Sequence, residues 1–155
     1  MVQADSIHFN DSLRYITPEG KVVYGGGGIM PDIFIPVDTA GYSNYYATVI
    51  RRNLVYRFSF DYADNNRIEL AKLTDYKSIQ TYLRQKNILN EFVSYAVKQG
   101  VAKNDNDLKI SGTLLENSVM AYIARNIIDD KGYYPIVNQI DKMIQNGVEV
   151  LRDAK

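Results

Sequence analysis

Cysteine is absent from this chain, which excludes a disulfide framework, a thiol nucleophile and cysteine-ligated zinc. Histidine occurs once, as His8 near the N-terminus, so a Ser-His-Asp triad has almost nothing to draw on. No charge sign is in excess: 18 Lys and Arg balance 18 Asp and Glu, for a formal net charge of zero. That removes the electrostatic case for nucleic acid or an anionic membrane surface as a partner, because phosphate binding needs a basic excess. It also offers little colloidal repulsion against self-association. No stretch approaches the roughly 18 consecutive apolar residues of a membrane span. Residues 1–11, MVQADSIHFND, lack the charged-then-apolar order of a secretory signal. What remains is a chain of 155 residues, 46% hydrophobic, enough for one core. Its 13 tyrosines suit packing faces and interfaces where a ring is buried and its hydroxyl stays wet.

The least random stretch is Lys21–Asp32, KVVYGGGGIMPD. Four consecutive glycines separate Val22-Val23-Tyr24 from Ile33-Phe34-Ile35, which is entered through Pro31-Asp32. Glycine admits positive φ and close backbone approach at an entropic cost, and Pro31 biases Met30 toward extended geometry. The segment reads as strand, glycine turn, strand. Just before it, Leu13–Ile16 reads as a strand and Thr17-Pro18-Glu19-Gly20 as a turn, with Pro early and Gly late. Residues 13–24 are therefore expected to form a β-hairpin, and 33–37 to be extended.

Tyr15-Ile16-Thr17-Pro18-Glu19-Gly20-Lys21, followed by Gly28-Ile29-Met30-Pro31-Asp32, resembles the end of the protease core in the C-terminal processing, or tail-specific, peptidases. The motif residues are Thr17, Pro18, Gly20, Gly25, Gly26, Gly27, Gly28, Ile29, Pro31 and Asp32, and Lys21 stands where that family often has Arg. Phe58–Arg67 and Ala121–Tyr134 are similar to the helical tail of its Bacteroidetes-type members. The resemblance implies a Ser–Lys serine endopeptidase of the periplasm or cell envelope, with a PDZ domain selecting protein or peptide substrates. In that family the catalytic Ser and Lys precede the Thr-Pro-x-Gly motif, and residues 1–16 contain no match for them. The resemblance therefore implies a C-terminal portion without catalytic residues, partnered by the rest of the protease. The export signal of such a parent is expected upstream of residue 1.

Residues 36–41, PVDTAG, mark the boundary between this arm (1–40) and a helical region (41–155) with no proline until Pro135. Ser43 is an N-cap candidate for a helix to about Arg52, with Asn53 as its breaker. Residues 54–62 carry two competing signals. Leu54, Tyr56, Phe58, Phe60 and Tyr62 alternate as in a strand, while Leu54, Phe58 and Tyr62 lie four apart as in a helix. The continuing Ile68, Leu70 and Leu73 favour a helix running on through DNNRIELAKL. Thr74 or Asp75 caps a helix to about Gln85, and Ile88–Lys98 is another, stopped by Gly100. Residues 101–109 read as a polar loop. Ser111 opens a helix carrying Leu115, Val119, Tyr122, Ile123 and Ile127, ended by Asp129-Asp130-Lys131-Gly132. Pro135 sits at a first helical position, and Ile136, Ile140, Met143, Ile144, Val148 and Leu151 mark an amphipathic helix to the end. The expected fold is α+β, mainly α: a short N-terminal β-hairpin or arm, then a four- to five-helix bundle.

Chemistry is thinly represented. Ser12 and Lys21 lie on strands expected to pair, but nothing near Ser12 resembles a nucleophile elbow, and they read as solvated strand-end residues. The glycine run lacks the G-x-x-x-x-G-K-[ST] pattern of a phosphate loop, since Ile29-Met30-Pro31 follows it. It also lacks an acidic residue about 20 positions on, as a dinucleotide site would have. Asn104-Asp105-Asn106-Asp107 lacks the later Gly and bidentate Glu of a calcium loop, so it and Asp129-Asp130 read as solvated loops. No catalytic residue, metal or cofactor is expected within the chain. Tyr42, Tyr45, Tyr46, Tyr56, Tyr62, Tyr133 and Tyr134 are assigned mostly to the core, a minority to docking against the protease domain or a second copy. Arg125 reads as a rim residue paired with Asp129 at i+4.

Overall fold

The turn at Thr17-Pro18-Glu19-Gly20 closes as its residues demand. The Gly20 N–H donates to the Thr17 carbonyl at 2.8 Å, and Gly20 takes a φ of +83° that a Cβ would strain. The Thr17 N–H donates to the Lys21 carbonyl at 2.8 Å, and the Lys21 N–H returns to Thr17 Oγ1 at 3.0 Å. The turn joins β1 (Arg14–Ile16) antiparallel to β2 (Val22–Tyr24), with Ile16 opposite Val22 and Arg14 opposite Tyr24. The Gly25 N–H extends the ladder to the Leu13 carbonyl at 2.8 Å. A computed structural model of the chain describes residues 11–25, 33–36, 38 and 41–153. Gly26, Gly27, Gly28, Ile29, Pro31 and Asp32, and with them the glycine turn, lie outside the described residues, as does His8. Residues 33–36 join no strand.

The chain divides into two units, Met1–Asp38 and Thr39–Lys155. The second contains eight helices among the described residues: α1 (Asn44–Arg51), α2 (Leu54–Asn65), α3 (Arg67–Leu70), α4 (Tyr76–Gln85), α5 (Ile88–Lys98), α6 (Asp105–Ile128), α7 (Asp130–Val137) and α8 (Lys142–Asp153). The fold is α+β and mainly α, with more and shorter helices than the four or five expected, because polar side chains break the chain at several points. Asn53 and Asn87 adopt left-handed φ values of 54° and 52° in the two-residue links Arg52-Asn53, between α1 and α2, and Lys86-Asn87, between α4 and α5. Asparagine tolerates that region better than other non-glycine residues. Residues 54–62 are helical, but the helix does not run on to Leu73. The Asn66 side-chain amide donates to the Tyr62 carbonyl at 2.9 Å and ends α2 there.

Ser43 and Asp75 cap α1 and α4 as expected, their side chains accepting from Tyr46 N–H, and from Lys77 and Ser78 N–H. At the end of α5, the Gly100 N–H donates to Val97 and the Val101 N–H to Ala96, both at 2.9 Å, and Val101 is buried. That paired arrangement is a Schellman stop.

Three expectations for the C-terminal half are corrected. Residues 101–109 are not all loop. The Asn104 side chain accepts the Asp107 N–H at 3.1 Å, and Asp105 and Asp107 favour the positive end of the helix dipole, so α6 starts six residues before Ser111. The Asn104–Asp107 cluster is thus a helix start. Asp130, Lys131 and Gly132 do not end a helix; only Asp129 breaks the chain, and the other three open α7, with Pro135 inside it instead of at its first position. Residues 136–151 are not one helix either. The chain leaves α7 at Asn138, and the Asp141 carboxylate caps α8 by accepting the Met143 and Ile144 N–H groups.

α6 is the core of the bundle. Leu115, Val119, Met120, Ala121, Ile123 and Ala124 are all essentially inaccessible, and they pack with Val49, Leu54, Leu83, Phe92 and Ile136 from other helices. Small residues let neighbours come close. A Cβ built on Gly132 would stand 2.7 Å from the Ala124 carbonyl oxygen, so α7 folds back onto α6 only with glycine there. At Gly112 the same atom would meet only Leu89 Cδ2, at an ordinary 3.5 Å. Gly132→Ala is therefore expected to lower unfolding stability by about 1–3 kcal/mol through overpacking. Gly112→Ala is expected to raise it by about 0.5–1 kcal/mol through the reduced entropy of the unfolded chain. Urea unfolding of both variants checks the pair, and equal midpoints would show that α7 does not press on α6.

Candidate functional site

Ser12 and Lys21 are both exposed, whereas a lysine serving as a base needs burial. Thr17, Pro18 and Gly20 form the hairpin turn, and Gly25 follows β2. These residues are structural: they shape a ribbon and bring no reactive group together. Among the described residues no group of three or more His, Cys, Asp or Glu is arranged to hold a metal, and no helix is long and apolar enough to cross a membrane. Arg125 is a rim residue, but its partner is Asp130 at 3.4 Å and not Asp129, and its guanidinium lies 5.2 Å from the Tyr133 ring centre. Asp129 sits at φ 55°, ψ −146°, which turns the chain at the α6–α7 junction.

Two features stand out on the helical unit. The first is a belt of tyrosines. Tyr42 and Tyr46 have ring centres 5.2 Å apart. Tyr56 meets Tyr122 edge to face at 5.7 Å, Tyr122 lies 5.3 Å from Tyr133, and Tyr133 lies 5.4 Å from Tyr134. Burial pushes the Tyr46 phenol up, with Tyr42 and Tyr122 adding to the rise and Ser118 opposing it. Of the tyrosines singled out from sequence, Tyr45 and Tyr62 are buried, Tyr46 and Tyr133 half-buried, and Tyr42, Tyr56 and Tyr134 exposed. Four of the seven thus lie in the core or pack against it, and three face outward.

The second feature is a groove formed by α2, α5 and the Lys86-Asn87 link before α5, with two lobes of about 460 and 440 Å³. Phe58, Lys86, Glu91 and Tyr95 line both. Its wall is aromatic: the Phe58 ring lies 5.8 Å from Tyr62, 5.6 Å from Phe92 and 5.4 Å from Tyr95. Asp61 and Asn65 edge the first lobe, Ser94 and Lys98 the second. The Tyr95 hydroxyl is buried without a hydrogen-bond partner among the described residues. Such an atom forfeits the hydrogen bond that it has in water. Sequence reading missed the groove because its two walls lie some thirty positions apart in the chain. The signal present was an acid directly preceding an aromatic on each wall, Asp61-Tyr62 and Glu91-Phe92.

The helical unit is thus a bundle with an aromatic belt and an aromatic groove. Residues 45–129, from α1 to the close of α6 and just over half of the chain, match a family of unknown function, DUF8443, and the chain belongs to that family. No curated protein and no solved structure matches it significantly.

Burial pushes the Tyr62 phenol up to about 12, with the Glu91 carboxylate and Tyr82 adding to the rise. The neutral phenol is the form that the fold favours. Stability that depends on it is intact below the ordinary value of 10.0 and is lost as pH climbs toward about 12. In an alkaline absorbance titration at the tyrosinate band, the wild type is expected to show a late-ionising phenol absent from Tyr62→Phe. Glu91→Gln is expected to move that phenol to lower pH. A Tyr62 phenol unmoved by Glu91→Gln would show that the carboxylate does not face it.

Proposed function

We propose that this chain is the C-terminal, non-catalytic part of a Ser–Lys C-terminal processing peptidase of the cell envelope. Its hairpin arm completes the β-sheet of the protease core. Its helical unit packs on that core or assembles the enzyme, while substrate selection and hydrolysis belong to the upstream PDZ and catalytic regions. The motif pair Thr17-Pro18-Glu19-Gly20 and Gly28-Ile29-Met30-Pro31-Asp32 supports the identity of the partner. The observation that carries the reading is the exposure of the arm. Tyr15 and Ile16 are 60% and 65% exposed, and Val22 and Val23 are exposed as well. A two-stranded ribbon is marginal in water by itself and gains from an added strand or a covering layer. Its free edges are templates for pairing with another sheet.

A second reading, a stand-alone helical dimerisation module with a strand-donating arm, is favoured by α8. That helix buries no residue, and Met143, Ile144, Val148 and Leu151 are all exposed. Light scattering separates the two, because a monomer across a wide concentration range removes the second.

The leading reading is tested by mixing the chain with a tail-specific peptidase core cut before its own Thr-Pro-x-Gly strand. A complex with restored peptide hydrolysis is expected, and the double substitution Ile16→Lys, Val23→Lys is expected to weaken it by about tenfold or more. Absence of a complex would overturn the reading. The chain alone is expected to hydrolyse nothing, and hydrolysis abolished by Ser12→Ala would contradict its non-catalytic role.

A further inference from the structure

The last helix carries a hydrophobic stripe without cover. Ile144, Val148 and Leu151 recur at helical spacing along α8, Met143 and Val150 flank them, and Ile140 lies just before the Asp141 cap. All six are exposed, Leu151 at 71%. A 12-residue helix that buries nothing is marginal in water, so α8 gains from a partner. We propose that this partner is α8 of a second copy of the chain, paired antiparallel, with Ile144 of each copy on Val148 of the other, Leu151 on Ile140 and Arg152 on Asp141. The pairing rests on the dimerisation reading and gives it a surface, a direction and a register.

Charge order selects the occupant and its direction. Asp141 stands at the N-terminal end of α8 and Arg152 near its C-terminal end, about three helical turns away, so both fall on one flank of the stripe. An antiparallel copy brings these opposite charges together at both ends, whereas a parallel copy sets like against like. Both capping bonds at Asp141, from the Met143 and Ile144 N–H groups, go to Oδ1, which leaves Oδ2 to accept from a guanidinium. Among the described residues Arg152 lies in no ion pair. Setting Ile144 on Val148 places Leu151 over Ile140 and Arg152 about one residue from Asp141, so the apolar and ionic contacts agree on one register. A formal net charge of zero adds no repulsion between copies. An anionic membrane suits the helix less well, because residues 141–153 carry three acids and two bases instead of a basic face. Six apolar side chains on each copy fall well below the roughly 20–30 residues a side of a standard interface. The dimer is therefore a weak one, with an expected Kd on the order of tens of micromolar.

Sedimentation equilibrium of the whole chain tests the association, and thiol cross-linking tests its direction. Ile144→Glu is expected to weaken the dimer by about tenfold or more. Asp141→Asn, which keeps a capping side chain, and Arg152→Gln are each expected to weaken it by about threefold, and the double variant no more than either alone. These variants lie on or beside a helix that buries no residue, so unchanged thermal unfolding of the bundle confirms that they fold. The chain has no cysteine, so introduced thiols are unique. An equimolar mixture of Ile144→Cys and Val148→Cys is expected to oxidise to the mixed dimer faster than either variant links to itself. A monomer at every concentration would overturn this pairing together with the dimerisation reading. A dimer unmoved by Ile144→Glu, or self-linking of Ile144→Cys as fast as mixed linking, would overturn the pairing alone and leave dimerisation to another surface. A monomer that sediments with vesicles of phosphatidylcholine and phosphatidylglycerol, and loses them on Ile144→Glu, would overturn it in favour of a lipid surface.

Discussion

The burial of α6 is the constraint on which the helical unit rests. From Ser111 to Ala124 this helix presents buried residues on every side: Ser111, Gly112, Leu115, Asn117, Val119, Met120, Ala121, Ile123 and Ala124. A helix apolar on one stripe lies at a surface, whereas one buried all round must be wrapped by others. The wrapping is done by α1, α2, α4, α5 and α7, each offering a single apolar face. Leu54, Val55 and Phe58 serve for α2, and Ile79 and Leu83 for α4. The small side chains along α6 set how near these partners come, and the tightest approach is that of Gly132 to the Ala124 carbonyl.

Hydrophobic burial has no direction, so polar contacts define the register of this wrapping. Ser111 Oγ donates to the Asp107 carbonyl at 2.9 Å, which leaves the Ser43 hydroxyl to donate across the 2.8 Å Ser43–Ser111 pair. Asp107 also accepts the Tyr45 N–H at 2.8 Å, so the first turn of α6 helps cap α1. Ser59 donates to the Val119 carbonyl, and the Asn117 amide to the Ile136 carbonyl. Gln80 and Gln139 exchange two amide hydrogen bonds at 3.1 Å. Apart from the Ser111–Asp107 bond within α6, each joins residues from separate segments and would be lost if the helices slid by a turn. The exposed ion pairs, such as Lys72 with Glu69, add little by comparison.

The functional reading follows from what the structure leaves uncovered. Apolar strand residues of the arm, the outward tyrosines of the belt and the apolar side chains of α8 are all exposed, while the helical core is filled. Such a distribution supports the proposed packing against other chains.

Local chemistry was legible in the sequence wherever a residue acts within its own turn. The hairpin, the Ser43 and Asp75 caps, the Asn53 break and the Gly100 stop follow from side chains bonding to, or permitting, the adjacent backbone. At 54–62 the four-residue spacing of Leu54, Phe58 and Tyr62 competed with a strand-like alternation, and the segment is helical. What failed in the sequence reading failed for a common reason. Asn104 capping α6, Asn66 ending α2 and Pro135 inside α7 each involve a residue type that reads equally well as loop or boundary, and burial in the bundle selects between them. The groove and the belt were not legible, because they join side chains from α1, α2, α5, α6 and α7 that come together only around α6. By itself the sequence determined the local turns, caps and helical stripes, whose energetics lie within a few residues. Only the tertiary structure decided which stripes were spent on the core and which aromatic and acidic residues were left facing outward, because that choice depends on non-local packing around one buried helix.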